Sequence, residues 1–160
     1  MLIVVLASIL AGCGGGKNAT WRAIGGNGFR FNAPAGWSVS GTAASEGGVD
    51  RVEVVPYRLV RPYVQARRAA TFRELDGVVE RLAAQMKGTV ASRSSLQVGA
   101  RSQGRDARAY TIAFDGKVEE ITFVLDGRNE YELLCRRSAA GDDAACRELV
   151  SSFQLVPFAS

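Results

Sequence analysis

RAYTIAFDGKVEEITFVLDGRNEYELLC, residues 108–135, is the stretch that decides the fold. Arg108 to Phe114 and Val118 to Leu125 are rich in β-branched and aromatic residues, and Asp115-Gly116 between them is a strong hairpin signal. The second run stops at Asp126-Gly127, and Tyr131 to Cys135 completes an antiparallel meander of three strands. With residues 126–130 as the second loop, Ile121, Phe123 and Leu125 stand opposite Cys135, Leu133 and Tyr131. That register gathers large apolar side chains on one face, which favours it over a tight two-residue turn.

Outward from the meander, helices flank strands. Thr71-Phe72-Arg73-Glu74 has capping-box spacing, and Phe72, Leu75, Val79, Leu82 and Met86 recur behind it at helical intervals until Gly88 can end the helix. After the meander, Asp142 or Asp143 caps a second helix with an apolar stripe of Cys146, Leu149, Val150 and Phe153. A short strand, Gln154 to Val156, follows. Near the start, Phe29-Arg30-Phe31 and Trp37-Ser38-Val39 read as strands around a Pro34-Ala35-Gly36 turn. Val52 to Leu59 is strand-like, with Pro56 confining it to an edge or a bulge. The expectation is an α+β domain with an antiparallel sheet of about six strands and helices packed on its faces.

The first residues carry an address. Leu2 to Leu10 is an apolar run too short to cross a bilayer, but of the length of a signal-peptide core. Leu10-Ala11-Gly12-Cys13 behind it resembles a bacterial lipobox, in which small residues admit the peptidase and the cysteine thiol takes a diacylglyceryl group. No Lys or Arg precedes Lys17, so the export signal is expected to begin upstream of Met1. The expected division is a signal peptide over 1–12, a lipidated Cys13 with a flexible tether over 13–27, and one domain over 28–160. Two or three acyl chains make such an anchor stable, and a tether of this length reaches on the order of 20 Å. The expected location is the extracytoplasmic face of a bacterial cell membrane.

Composition narrows the chemistry. The chain has 160 residues, a net charge of +4 and 47% apolar residues, an ordinary globular balance without the strong basic bias of a nucleic-acid binder. It contains no histidine, which removes Ser-His and Cys-His nucleophile pairs and nearly all zinc sites. Glu119 and Glu120 are neighbours on a strand and point to opposite faces, so they cannot act on one substrate together. No catalytic residue, cofactor or metal is assigned. Cys135 and Cys146 are an even pair in an exported chain, which reads as a disulfide pinning the second helix to the sheet.

Phe31-x-x-Pro34-x-Gly36-Trp37, together with a meander that runs into a short helix and Ser152-Phe153, resembles the PsbP-like fold family. That family includes the extrinsic photosystem II subunit, a nuclear Ran-binding protein and small bacterial lipoproteins of the LpqN type. The resemblance spans roughly residues 28 to 157 and implies an α/β/α sandwich, an antiparallel sheet between helices. It transfers no metal residue and no site motif, because one fold hosts many binding tasks.

Two surfaces stand out. The segment from Arg58 to Arg68 concentrates Arg58, Arg61, Arg67 and Arg68 with Tyr63, and reads as a long connection suited to anionic headgroups, wall polymers or an acidic protein face. Trp37, Phe29, Phe31, Tyr110, Phe114 and Phe123 could line a cavity, although such aromatics are more often core. Two functions remain: a non-catalytic binding or scaffold module of the envelope, and a carrier of a small apolar or lipid-like ligand held between helix and sheet. A carrier should show an apolar cavity of several hundred cubic ångströms, and a scaffold should be packed solid.

Overall fold

The computed structural model describes residues 20–26, 28–40, 50–55, 63–68, 71–99, 104–127 and 129–157. Its body is a meander of four ten-residue strands, β6 (Thr89–Val98), β7 (Arg105–Phe114), β8 (Lys117–Asp126) and β9 (Asn129–Ser138). Three shorter strands, β3 (Ser38–Ser40), β4 (Asp50–Val55) and β5 (Tyr63–Arg68), extend it in the order β3-β4-β5-β9-β8-β7-β6. A separate sheet pairs β1 (Trp21–Gly26) and β10 (Gln154–Leu155) with β2 (Phe29–Pro34). The expected single sheet of about six strands is therefore corrected: the seven-stranded and three-stranded sheets are distinct, because the Pro34–Trp37 turn carries the chain from one to the other.

Helix α1 (Phe72–Gln85) begins as its sequence dictates. The Thr71 hydroxyl accepts from the Glu74 N–H, and the Glu74 carboxylate accepts from the Thr71 N–H at 2.7 Å. Leu75, Val79 and Ala83 are buried against Tyr110, Ile112, Ile121 and Phe123 on one face of the large sheet. Helix α2 (Ala144–Ser152) and the small sheet cover the other face, where Cys146, Leu149, Phe153, Phe29 and Phe31 meet Val124, Tyr131, Leu133 and Cys135. The small sheet is tied to α2 by the Ser152 hydroxyl, which accepts from the Asn32 N–H at 2.8 Å, and by Phe153, stacked 6.2 Å from Phe29. The structure thus accounts physically for the Ser152-Phe153 ending.

Three local expectations change. Asp126 pairs with Asn129, which leaves only two positions between β8 and β9, with Gly127 at a φ of 59°. Ile121 and Phe123 consequently face Leu134 and Glu132 in register, one residue away from the expected Cys135 and Leu133. Since both sheet faces are covered, β9 buries residues of both alternations, Leu134 on the α1 face and Tyr131, Leu133 and Cys135 on the other; gathering every large side chain on one face is not required.

The stretch expected as tether contains β1, six residues paired with β2, so the folded part already includes Trp21. Ile24 is buried there, and a Cβ on Gly26 would lie 2.1 Å from the Phe29 ring, a reason for glycine other than flexibility. Residues 63–68, expected within a long connection, form β5 between β4 and β9.

Candidate functional site

The alternation along β7 prepares a hollow. Asp106, Arg108, Tyr110, Ile112 and Phe114 alternate with Ala107, Ala109, Thr111 and Ala113, so the α1 face takes the large side chains and the α2 face the small ones. Opposite Thr111 and Ala109 on β6 stand Ser92 and Ser94, again small. Helix α2 is only nine residues long and is fixed near β9 by the Cys135–Cys146 disulfide, with Cα atoms 5.5 Å apart. The floor between α2 and β6 is left with short side chains and no helix directly over it.

The result is a groove of about 490 Å³. Ala109, Thr111 and Thr122 form its floor, Leu149 and Val150 of α2 one wall, and Leu96, Val98 and Gly99 the other. Its polar end is Glu120, which receives both the Nε and an Nη of Arg137, at 2.9 and 2.7 Å. Arg147 lies at the rim, hydrogen-bonded to Asp143 one turn earlier. The groove is open to solvent, with Gln97 and Gly99 exposed at its margin. Apolar walls whose bordering charges, Glu120 and Arg147, are both paired suit an aliphatic or aromatic group better than an ionic one.

On the opposite face, Asp76 of α1 accepts hydrogen bonds from the Tyr110 hydroxyl at 2.5 Å and from Arg108 at 2.9 Å. Burial, aided by the Asp76 carboxylate that holds its proton, pushes the Tyr110 hydroxyl up to about 12. The Tyr110 hydrogen bond holds the Asp76 carboxyl below its usual range. Arg108 also lies 5.2 Å from the centre of the Phe72 ring, so the cluster fastens α1 to the sheet. Glu119 is buried and paired with Arg136 at 2.5 Å, on the face opposite Glu120. Among the described residues no three His, Cys, Asp or Glu side chains converge as metal ligands.

The sequence-expected sites are dispersed. Cys13, Arg58 and Arg61 lie outside the described residues. Arg67 and Arg68 occupy β5, in register with Glu130 and Asn129 of β9, and their adjacent positions belong to opposite sheet faces. Cys135 and Cys146 close one end of the groove. Phe29, Phe31, Tyr110 and Phe123 are core, while Trp37 and Phe114 are half-buried against it. The groove's own signal was small rather than large residues, the Ala-x-Ala-x-Thr-x-Ala alternation of residues 107–113.

No known family model and no curated protein matches this chain. The solution structure of cyanobacterial PsbP (CyanoP) from Synechocystis sp. PCC 6803 superposes with a TM-score of 0.61, covering 92% of this chain and 99% of that one at 15% identity. A crystal structure from Bacteroides thetaiotaomicron VPI-5482 aligns with 81% of this chain and 45% of its own, at 10% identity and a TM-score of 0.41, too weak for a comparison of folds. The agreement with CyanoP over nearly the full length of both chains is one of architecture: this chain has a PsbP-like fold.

Proposed function

We propose that this chain is a lipid-anchored extracytoplasmic protein that serves as a non-catalytic binding module of the bacterial cell envelope, with the α2 groove as its contact site. The lipobox-like Leu10–Cys13 supports the anchor. The observation that carries the binding role is the groove itself, whose volume of about 490 Å³ falls in the ordinary range for ligand sites. A floor of Ala and Thr beside a disulfide-fixed helix is a rigid receptor for an apolar group. Arg58 and Arg61, with whichever of Arg67 and Arg68 shares their face, are a second proposed contact, for anionic envelope components.

By volume the groove meets the expectation for a carrier rather than for a solidly packed scaffold, so it equally supports a second reading, a carrier of a small apolar or lipid-like ligand. Its openness is what favours the binding module over the carrier, because a carried lipid needs enclosure. The test is co-purification of the full chain extracted from bacterial membranes in mild detergent. A bound envelope component should be retained by the wild-type chain and lost from Ala109→Trp, which fills the groove floor. Retention that is equal in both removes the groove from the function. Cys13→Ala should in addition move the chain from the membrane to the soluble fraction.

A further inference from the structure

We infer that the outer edge of β6, with the hollows on either side of it, is an acceptor for an extended peptide that joins the large sheet as an eighth strand. The inference deepens the binding-module reading by naming the partner class, and rests on that reading for the groove on the α2 face.

β6 ends the strand order and is ten residues long, whereas the opposite end of the sheet is the three-residue β3. Among the described residues no strand pairs with its outer side, and residues 91–95 are exposed. Proteins usually blunt such an edge with proline, lysine, a bulge or shortness. Here the protection sits at the start of the strand: the register shifts between Val90 and Ser92, and Arg93 is turned to Glu80 of α1 at 2.5 Å. Beyond it, Ser94 to Val98 pairs residue for residue with Ala109 to Arg105 and contains neither proline nor lysine. That half is a regular template of main-chain donors and acceptors.

Both faces of this half carry a hollow. On the α2 face lies the groove walled by Leu96, Val98 and Val150. On the α1 face a second hollow of about 360 Å³ is bordered by Phe72, Ser95 and Asp106. A strand laid along β6 sends successive side chains to alternate faces. Main-chain hydrogen bonds would supply affinity; an apolar side chain on the α2 face would pack on the outer flank of Leu96, which walls the groove, and a basic one on the α1 face would reach past Ser95 to Asp106, whose carboxylate also accepts from the Gln97 side-chain amide. The partner is therefore an extended segment of alternating apolar and basic residues.

Hydrogen exchange of the full chain in lipid nanodiscs tests this, with a synthetic peptide of alternating valine and lysine and an isomer of equal composition with the valines and lysines in two blocks. The alternating peptide should slow exchange across residues 92–98 by about tenfold or more, and the block isomer should not. Asp106→Lys, an exposed position, should weaken the valine–lysine peptide by about tenfold and favour a valine–glutamate peptide instead. Equal responses to both isomers, no slowing with either, or indifference to Asp106→Lys overturns strand addition. A fatty-acid probe separates the two levels. If it protects α2 while the alternating peptide leaves β6 unchanged, the groove stands and the peptide acceptor falls. If neither probe has any effect, the groove falls as well.

Discussion

A Cβ on Gly88 would lie 2.5 Å from the Ala113 carbonyl oxygen and 2.8 Å from the Phe114 Cβ. Glycine is therefore required by close approach of the chain after α1 to β7, while the left-handed turn at the helix end is taken by Lys87, with a φ of 53°. Gly88→Ala should lower stability by about 1–3 kcal/mol in urea denaturation, and Gly25→Ala, with nothing within 4 Å, should leave it nearly unchanged. The sequence marks Gly88 as a helix stop; the atoms it must avoid belong to residues far along the chain and leave no local sign. Tyr110 and Asp76 belong to the same scale. The folded state favours the neutral phenol, so its contribution is complete below pH ~10, the unfolded value, and is lost as pH rises towards about 12. Asp76 is held ionised, so its contribution is complete above pH ~4 and is lost as pH falls through its lowered value. Tyr110→Phe should cost about 1 kcal/mol at neutral pH and flatten the alkaline fall, as read from urea midpoints across pH. An alkaline fall of the same size in both chains would show that this hydroxyl is not the titrating group.

At the scale of elements, the two helices are held by different devices. α1 relies on its capping box, and Thr71→Ala should cost about 1 kcal/mol. In α2 the Asp143 side chain makes no cap bond, and the Asp142 carboxylate instead accepts from the Ala144 N–H at 2.8 Å. Asp142→Ala should accordingly destabilise more than Asp143→Ala. The Cys135–Cys146 link, 11 residues apart, should contribute about 3 kcal/mol, seen as the loss of urea resistance on reduction or in the Cys146→Ser chain. A reduced chain as stable as the oxidised one would mean that α2 stays docked by packing alone. Both helices and the three strands β7, β8 and β9 were legible from capping residues, 3.6-residue spacing and Asp-Gly turns, which are local signals; β6, the fourth strand of the meander, was not placed. The β8–β9 register was not, because it depends on which faces the rest of the chain covers. β5 was hidden by arginines and by Pro62, which suggest a connection although the segment pairs on both sides. β1 was hidden by its glycines, one of which makes room for the Phe29 ring.

For the molecule as a whole, the large sheet is covered by α1 on one side and by α2 with the small sheet on the other, and the second cover reaches β6 only at Leu96 and Val98. That shortfall makes the groove, and a disulfide-held helix makes its wall rigid. Its floor could be read in the sequence as a run of small residues at alternate positions, but its wall depends on where α2 docks, which no local pattern specifies. The most direct measurement is site-specific photo-crosslinking from Val150 in the membrane-anchored full chain within bacterial cells, with and without Ala109→Trp. A single reproducible envelope adduct that disappears when the groove is filled is the expected result. Adducts that persist unchanged in Ala109→Trp, or their complete absence in both chains, would contradict a binding function for the groove.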